Sequence, residues 1–344
     1  MRVVGISNKT RYWQHYVFSN PPEGYRYTRG LDMPWHMLRT RQQFLLHTKC
    51  FLPLKHVDLY HTYNSVVANH RPWVIEVESY LPRYKPMRES HPLFKWGQRR
   101  LAGDDCKWLV FTSENTFRMN RDKLVAAGVD PAKMVVVYRA VEQYLPGVKD
   151  ASRFTILFAG NGFYRKGGVE LLKAFQRLER PDARLVIVST LEVDWGVEPD
   201  AATVAWAERT IQEDPRIELH RGLPHDGVLQ LMRKAHVFAS TTFADPFNNT
   251  VLEAMGARLP VISSQVSSIP EIVEDGRNGW LLDVTGRASD AIADELAEKL
   301  RRLMDDQALL RHMGEQSFQV VREKFDIEVR NRRIKELYDR ALGG

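Results

Sequence analysis

Short apolar runs bounded by polar and turn residues alternate along this chain with longer stretches in which apolar positions recur at helical spacing. In the N-terminal half, the runs at 2–7, 57–60, 74–77, 109–112 and 134–138 predict buried strands, and the spacing at 37–47 and 94–101 predicts helices between them. Residues 144–152 lose the periodicity and hold Pro146, Gly147 and Asp150, so they predict a linker. The alternation then restarts, with strands at 154–158, 184–189, 217–220, 237–240 and 261–264 and helical periodicity at 169–178, 203–214, 223–232 and 250–257. In the first of these helices Leu171, Leu172, Phe175 and Leu178 share one face. From Ala291 onward the chain is helical and densely charged. Brief apolar strands joined through helices imply parallel sheets covered on both faces. The expected class is therefore α/β, with doubly wound parallel sheets in two domains, residues 1–145 and 152–326.

Composition narrows the setting. No stretch approaches the roughly 18 uncharged apolar residues of a membrane span, and residues 1–6 pattern as a strand rather than a signal peptide, so a cytoplasmic protein is expected. Cys50 and Cys106 match no zinc spacing and no disulfide framework. The net charge of +6 is unevenly distributed: residues 1–150 hold 23 Lys and Arg against 13 Asp and Glu, whereas the remainder is acidic. That asymmetry suits either an anionic partner, such as the inner face of a membrane or a charged glycan, or a solvated basic face. Residues 19–55 interleave Tyr25, Arg26, Tyr27, Arg29, Trp35, His36, Arg39 and Arg41. Such a mixture either lies on an anionic membrane, grips a sugar, or packs its aromatics on the sheet. No nucleic-acid-binding motif is present, and no nucleic-acid partner is expected.

The densest chemistry lies between Phe243 and Leu282. A loop carrying Asp245 leads into a short helix for which Asn248 or Asn249 is a suitable N-cap, and the helix stops before Pro260. Asn249 and Glu253 are four apart and share a helix face. The amides of the first turn, at Asn248 to Thr250, point along the helix axis toward its N-terminus and suit a phosphate. Glu253 one turn inside suits a ribose diol. Upstream, Gly160-Asn161-Gly162-Phe163-Tyr164-Arg165-Lys166-Gly167-Gly168 links a strand to a helix without Walker or dinucleotide spacing. Arg165 and Lys166 precede a helix N-terminus, where positive charge opposes the dipole unless an anion is present. His220 and Arg221 end a strand on the side where a nucleotide base would lie.

Asp245, seven residues, then Glu253, with Pro260-Val261-Ile262, Pro270-Glu271-Ile272-Val273, Asp275-Gly276 and Asn278-Gly279 behind them, resembles the signature of the retaining nucleotide-sugar glycosyltransferases of GT-B fold, the glycosyl transferases group 1 type. Asp245 stands where that family usually has glutamate, and Ser267-Ser268 replaces a common glycine pair. Lys166-Gly167 is similar to the family's diphosphate-gripping loop; Asn161 takes the place of an arginine there, with Arg165 as compensation. The resemblance implies two Rossmann-like domains facing across a cleft, with a last helix at about 327–344 packing back on the first domain. It implies that the C-terminal domain binds a UDP- or GDP-type sugar as co-substrate, with no cofactor and no metal. It further implies transfer to a glycan or lipid-linked acceptor hydroxyl with retention. The implied catalytic set is Lys166, Arg165, Asp245 and Glu253, and the implied donor-binding set is Gly160, Gly162, Gly167, Asn248, Asn249, Thr250, His220 and Arg221.

On the acceptor side, strand ends nominate His61, Tyr63, Glu78, Tyr80, Ser113, Glu114 and Arg139, with His61 the fallback general base. Glu76 and Glu78 alternate to one face of an apolar strand, which requires a cation or a hydroxyl beside them. Two other readings stand beside the transferase: a non-catalytic nucleotide- or glycan-binding scaffold of the same fold, and a metal-dependent transferase using Glu192 and Asp194.

Overall fold

The computed structural model of the protein describes residues 1–7, 16–30, 42–52, 56–145 and 147–343. The chain divides into two units: Met1–Ala140 with Phe325–Gly344, and Val141–Lys324. In the first unit the strands are β1 Arg2–Ser7, β2 Tyr25–Gly30, β3 Thr48–Lys49, β4 Leu59–Tyr63, β5 Val66–Val67, β6 Trp73–Val77, β7 Cys106–Phe111 and β8 Met134–Val136. Six of them form one parallel sheet in the order β2-β1-β4-β6-β7-β8, and β3 pairs with β5. The second unit contributes β9 Phe154–Ala159, β10 Ala183–Val188, β11 Ile217–His220, β12 Val237–Ser240, β13 Val261–Ser264 and β14 Gly279–Leu282. These run parallel in the order β11-β10-β9-β12-β13-β14.

In each sheet the strand order turns back on itself once, between β1 and β4 and between β9 and β12. Ligands of open parallel sheets bind beyond the carboxyl ends of the strands at such a reversal. The second unit's reversal lies between the strands that precede Gly160 and Thr241, the starts of the two loops read above as chemical.

Burial explains why these elements hold. In the second unit Phe158, Phe163, Phe175, Ile156 and Leu185 are fully buried, together with Leu296 and Leu300 of the helix Ser289–Asp305. Each such side chain contributes about 1.5–3 kcal/mol of transfer free energy. The helix Gly168–Leu178 lays Leu171, Leu172, Phe175 and Leu178 into this core, the face expected from their spacing. In the first unit the closing helix Ile327–Ala341, capped by the Asp326 carboxylate on Glu328 N–H at 2.7 Å, buries Ile334, Leu337 and Tyr338 against Val4, Leu59 and Val74.

Three features depart from the sequence reading. Residues 25–30 form the edge strand β2, an element not expected there, while the aromatic and arginine mixture belongs to the sheet, as the packing alternative has it. The Tyr25 ring packs against Tyr338 at a tilt of 59°, with ring centroids 5.0 Å apart. Trp35, His36, Arg39 and Arg41 lie outside the described residues, as does most of the helix expected at 37–47, whose described part is Gln43–Leu46. The segment expected as a linker is instead tied into the second unit: Tyr144 N–H donates to Gly256 O at 3.1 Å, and Gly147 N–H to Arg233 O at 3.1 Å. Gly279–Leu282, where no strand was expected, is strand β14.

Candidate functional site

Two loops at the carboxyl ends of β9 and β12 are stitched together by hydrogen bonds between buried hydroxyls and backbone. Ser240 Oγ donates to Lys166 O at 3.2 Å, Thr242 Oγ1 to Arg165 O at 3.3 Å, and Phe243 N–H to Arg165 O at 2.9 Å. The next strand and the turn after it brace this arrangement, since Ser263 Oγ of β13 donates to Ser240 O at the end of β12 at 2.8 Å and Ser268 Oγ to Pro246 O in the loop at 3.0 Å. Ser268, one of the serines in place of the family's glycine pair, therefore supports the loop that carries Asp245. The glycines fit the same arrangement. Gly167 has φ +76°, and a Cβ there would strike the Thr241 carbonyl and hydroxyl. A Cβ on Gly160 would stand 2.6 Å from Lys166 Cδ, and one on Gly162 would strike Asp194 and the Arg165 guanidinium.

The stitched loops bring two cations onto one carboxylate oxygen. Lys166 Nζ donates to Asp245 Oδ2 at 2.6 Å, and Arg165 Nη1 lies 3.8 Å from that same oxygen. Lys166 and Asp245 are each only 9% exposed. Arg165 is gripped on its other edge by Asp194, through Nε at 3.0 Å and Nη2 at 2.7 Å, while Nη1 donates to Ala244 O at 2.6 Å. Its guanidinium lies 4.3 Å from the centre of the Trp195 ring. The charges that oppose the helix dipole are thus balanced by the protein's own carboxylates, a partnership that the sequence reading reserved for an incoming anion.

Three residues beyond Asp245, Asn248 caps the helix Asn249–Gly256, its Oδ1 accepting from Val251 N–H at 3.3 Å. Asn248 Nδ2 is buried with no hydrogen-bond partner among the described residues, an open donor at the start of this helix. Glu253, one turn into the helix, has its Oε1 3.8 Å from His225 Nε2. The sequence reading passed over His225 because it opens a helix of ordinary amphipathic pattern. The pair nominated for a base is locally engaged: His220 Nε2 lies 2.5 Å from Glu218 Oε1, and Arg221 Nη1 donates to Thr190 O at 2.7 Å. Asp194, weighed as a metal ligand with Glu192, is instead held by Arg165, and no group of three or more ligating side chains forms among the described residues.

In the first unit His61, Tyr63, Glu78 and Arg139, of the nominated residues, join Glu76 in a largely buried charge network, whereas Ser113 caps the helix Glu114–Ala126. Glu76 Oε2 accepts from Arg330 Nη2 at 2.9 Å, with His61 Nε2 at 3.5 Å and Arg139 Nε 3.7 Å from the other oxygen. Arg139 also lies 3.6 Å from Glu78 and bonds Tyr63, which in turn bonds Glu78. The cation required beside both acids is therefore present. Burial alone would raise the Glu76 carboxyl, but Arg330, His61 and Arg139 together hold it far below the usual carboxylate range. Burial pushes His61 down, with Glu76 opposing. His61 is fully buried and its Nδ1 lies 2.5 Å from Tyr338 Oη, so it cannot serve as the fallback base: it has no access to an acceptor hydroxyl.

The sequence model of the glycosyl transferases group 1 family matches residues 146–320, slightly more than half of the chain and the whole of this site. The chain belongs to that family. Over 169 residues this group 1 chain is 28% identical to alpha-maltose-1-phosphate synthase of Mycolicibacterium smegmatis, a match covering 48% of this chain and 42% of that protein. Over 163 residues it is 28% identical to N-acetyl-alpha-D-glucosaminyl L-malate synthase of Bacillus anthracis, covering 46% and 38%. The match thus spans less than half the length of either curated relative. Among solved structures, Anabaena Alr3699/HepE in complex with UDP superposes with a TM-score of 0.66 at 16% identity, covering 99% of this chain and 100% of that one. That likeness shows the fold, which is GT-B. No helix among the described residues is long and apolar enough to cross a membrane.

Proposed function

We propose that this group 1 chain transfers a sugar from a UDP- or GDP-type nucleotide sugar to an acceptor hydroxyl on a glycan, a polysaccharide or a glycolipid, with retention at the anomeric carbon and without a metal. The observation that carries the reading is the convergence of Lys166 and Arg165 on Asp245 Oδ2, three residues before the capped helix that bears Glu253. A position where two cations meet beside a helix N-terminus is where a leaving diphosphate oxygen is best stabilised. Lys166 and Arg165 neutralise the charge that develops on the diphosphate. The free N–H of Asn248 Nδ2 and the amides of Asn249 and Thr250 share that load.

The helix dipole supplies only about 0.3–1 kcal/mol for an exposed anion, whereas each charged hydrogen bond supplies roughly 1.5–3. The two cations therefore dominate. Glu253 takes the ribose hydroxyls, and Asp245, held at the mouth by Lys166, contacts the transferred sugar. The acceptor proton passes to the departing phosphate, so no separate base is required. The basic excess of residues 1–150 supports an acceptor presented at an anionic surface, with peripheral contact at a membrane face.

The test is nucleotide release from UDP-glucose, UDP-N-acetylglucosamine and GDP-mannose offered with simple sugar acceptors, with and without EDTA. Release from at least one donor, unaffected by EDTA and lost in Lys166→Ala, is expected, and the product anomer read by NMR should keep the donor's configuration. Donor binding with no release from any of them would return the chain to the scaffold reading, and loss of activity in EDTA would favour a metal-dependent transferase.

A further inference from the structure

The segment between β10 and the helix Ala201–Glu213 was not assigned a part in the donor site, yet it holds one of its cations from two directions. Asp194 takes the Nε and Nη2 edge of the Arg165 guanidinium with both oxygens, Nε donating to Oδ1 at 3.2 Å and Nη2 to Oδ2 at 2.7 Å, a two-point grip that fixes the plane as well as the position. Trp195 covers one face at 4.3 Å although the residue as a whole is 57% exposed. Ala244 O takes one N–H of Nη1 at 2.6 Å. With that edge, one face and one Nη1 hydrogen occupied, the remaining Nη1 side is the part turned toward Asp245 Oδ2, the oxygen that Lys166 also reaches.

We propose that Asp194 and Trp195 are positioning residues for the diphosphate: they hold Arg165 so that its free N–H converges with Lys166 on a single anionic oxygen. The inference rests on the donor-site reading above. It explains why a site lacking the family's arginine at Asn161 retains two converging cations. An arginine immediately before Lys166 would otherwise swing on a flexible stem, and the ordering entropy of that stem would weigh against each binding event. Fixing it in advance removes that cost. Asp194 and Trp195 touch Arg165, not the reacting atoms, so their effect must run entirely through Arg165.

Binding of UDP and of GDP is measured by titration calorimetry to the wild-type chain and to Asp194→Ala, Trp195→Ala, Trp195→Phe, Arg165→Ala and the double variant Arg165→Ala/Asp194→Ala, with folding of each checked by circular dichroism. Asp194→Ala should weaken the nucleotide that binds by about tenfold. Trp195→Ala should weaken it by roughly threefold, with Trp195→Phe restoring most of the loss because it keeps a ring face for the guanidinium. In the Arg165→Ala background, removing Asp194 should cost nothing further, a non-additivity that a general loosening of the fold would not produce. Unchanged or tighter binding in Asp194→Ala would overturn the inference, because Asp194 would then be bystander or competitor. An equal loss in the presence and absence of Arg165 would overturn it as well. Lys166→Ala separates the two levels: if it weakens the nucleotide while Asp194→Ala does not, only this inference falls. If Lys166→Ala has no effect, or neither nucleotide binds the wild type, the donor-site reading itself falls.

Discussion

Replacing Glu76 by Gln tests how the first unit is held together. The substitution keeps shape and one acceptor oxygen but deletes the charge that Arg330 pairs with at 2.9 Å, in a place where both side chains are 3% exposed or less. Arg330 has no other carboxylate partner among the described residues, and a guanidinium cannot shed its proton to escape. Removing one partner of such a pair typically costs about 3–5 kcal/mol. For a unit of this size that corresponds to a fall in melting temperature of roughly 6–20 °C. The reverse change, Arg330→Met, leaves Glu76 with His61 at 3.5 Å and Arg139 at 3.7 Å, so its cost should be smaller, about 1–3 kcal/mol. Urea denaturation at pH 7, followed by circular dichroism for both single variants and the double, gives the two costs and their coupling. A loss under about 1 kcal/mol for Glu76→Gln, or an Arg330→Met variant less stable than Glu76→Gln, would refute this account of the network.

Two other outcomes are expected, one from this network and one from the second unit. His61 has its folded value pushed below 6.5 and Glu76 below 4.5, so the unfolded chain binds more protons than the folded one once the pH drops beneath each value. Stability from these groups is fully present above pH 6.5, declines from there for His61, and declines more steeply below 4.5 for Glu76; a melting-temperature series from pH 8 to 4 that rose on acidification would contradict the assignment. Gly167→Ala forces a left-handed backbone onto alanine at φ +76° and drives a methyl into the Thr241 carbonyl, so a loss of about 1–3 kcal/mol or more is expected by denaturation, with weakened nucleotide binding.

Much of the second unit was legible from sequence because its strands are short, apolar and bounded by glycines or caps. The runs read at 217–220, 237–240 and 261–264 coincide with β11, β12 and β13. Strand β2 escaped because an edge strand with Arg26 and Arg29 turned outward carries no continuous apolar run, and β14 because Asn278-Gly279 signals a turn before only a few apolar residues. The local parts of the site, Asn248 as cap and Lys166 ahead of a helix, follow from neighbouring residues. What pairs with what does not. Asp194 is 29 residues from Arg165 and Asp245 is 79 from Lys166, distances over which spacing carries no signal. His61 looked available as a base because the residue that closes over it, Tyr338, lies 277 positions away in a helix that returns to the first unit only at the end of the chain.

The central proposal is that Lys166 and Arg165, the two cations beside Asp245, bind the donor diphosphate while Asp245 faces the transferred sugar. Titration of UDP and GDP into the wild-type chain and into Lys166→Ala measures it directly. One of the two nucleotides should bind, and the variant should lose roughly 1.5–3 kcal/mol, about 10- to 150-fold in Kd, while its melting temperature shows that the fold persists. Equal affinities in the folded variant and the wild type would contradict it.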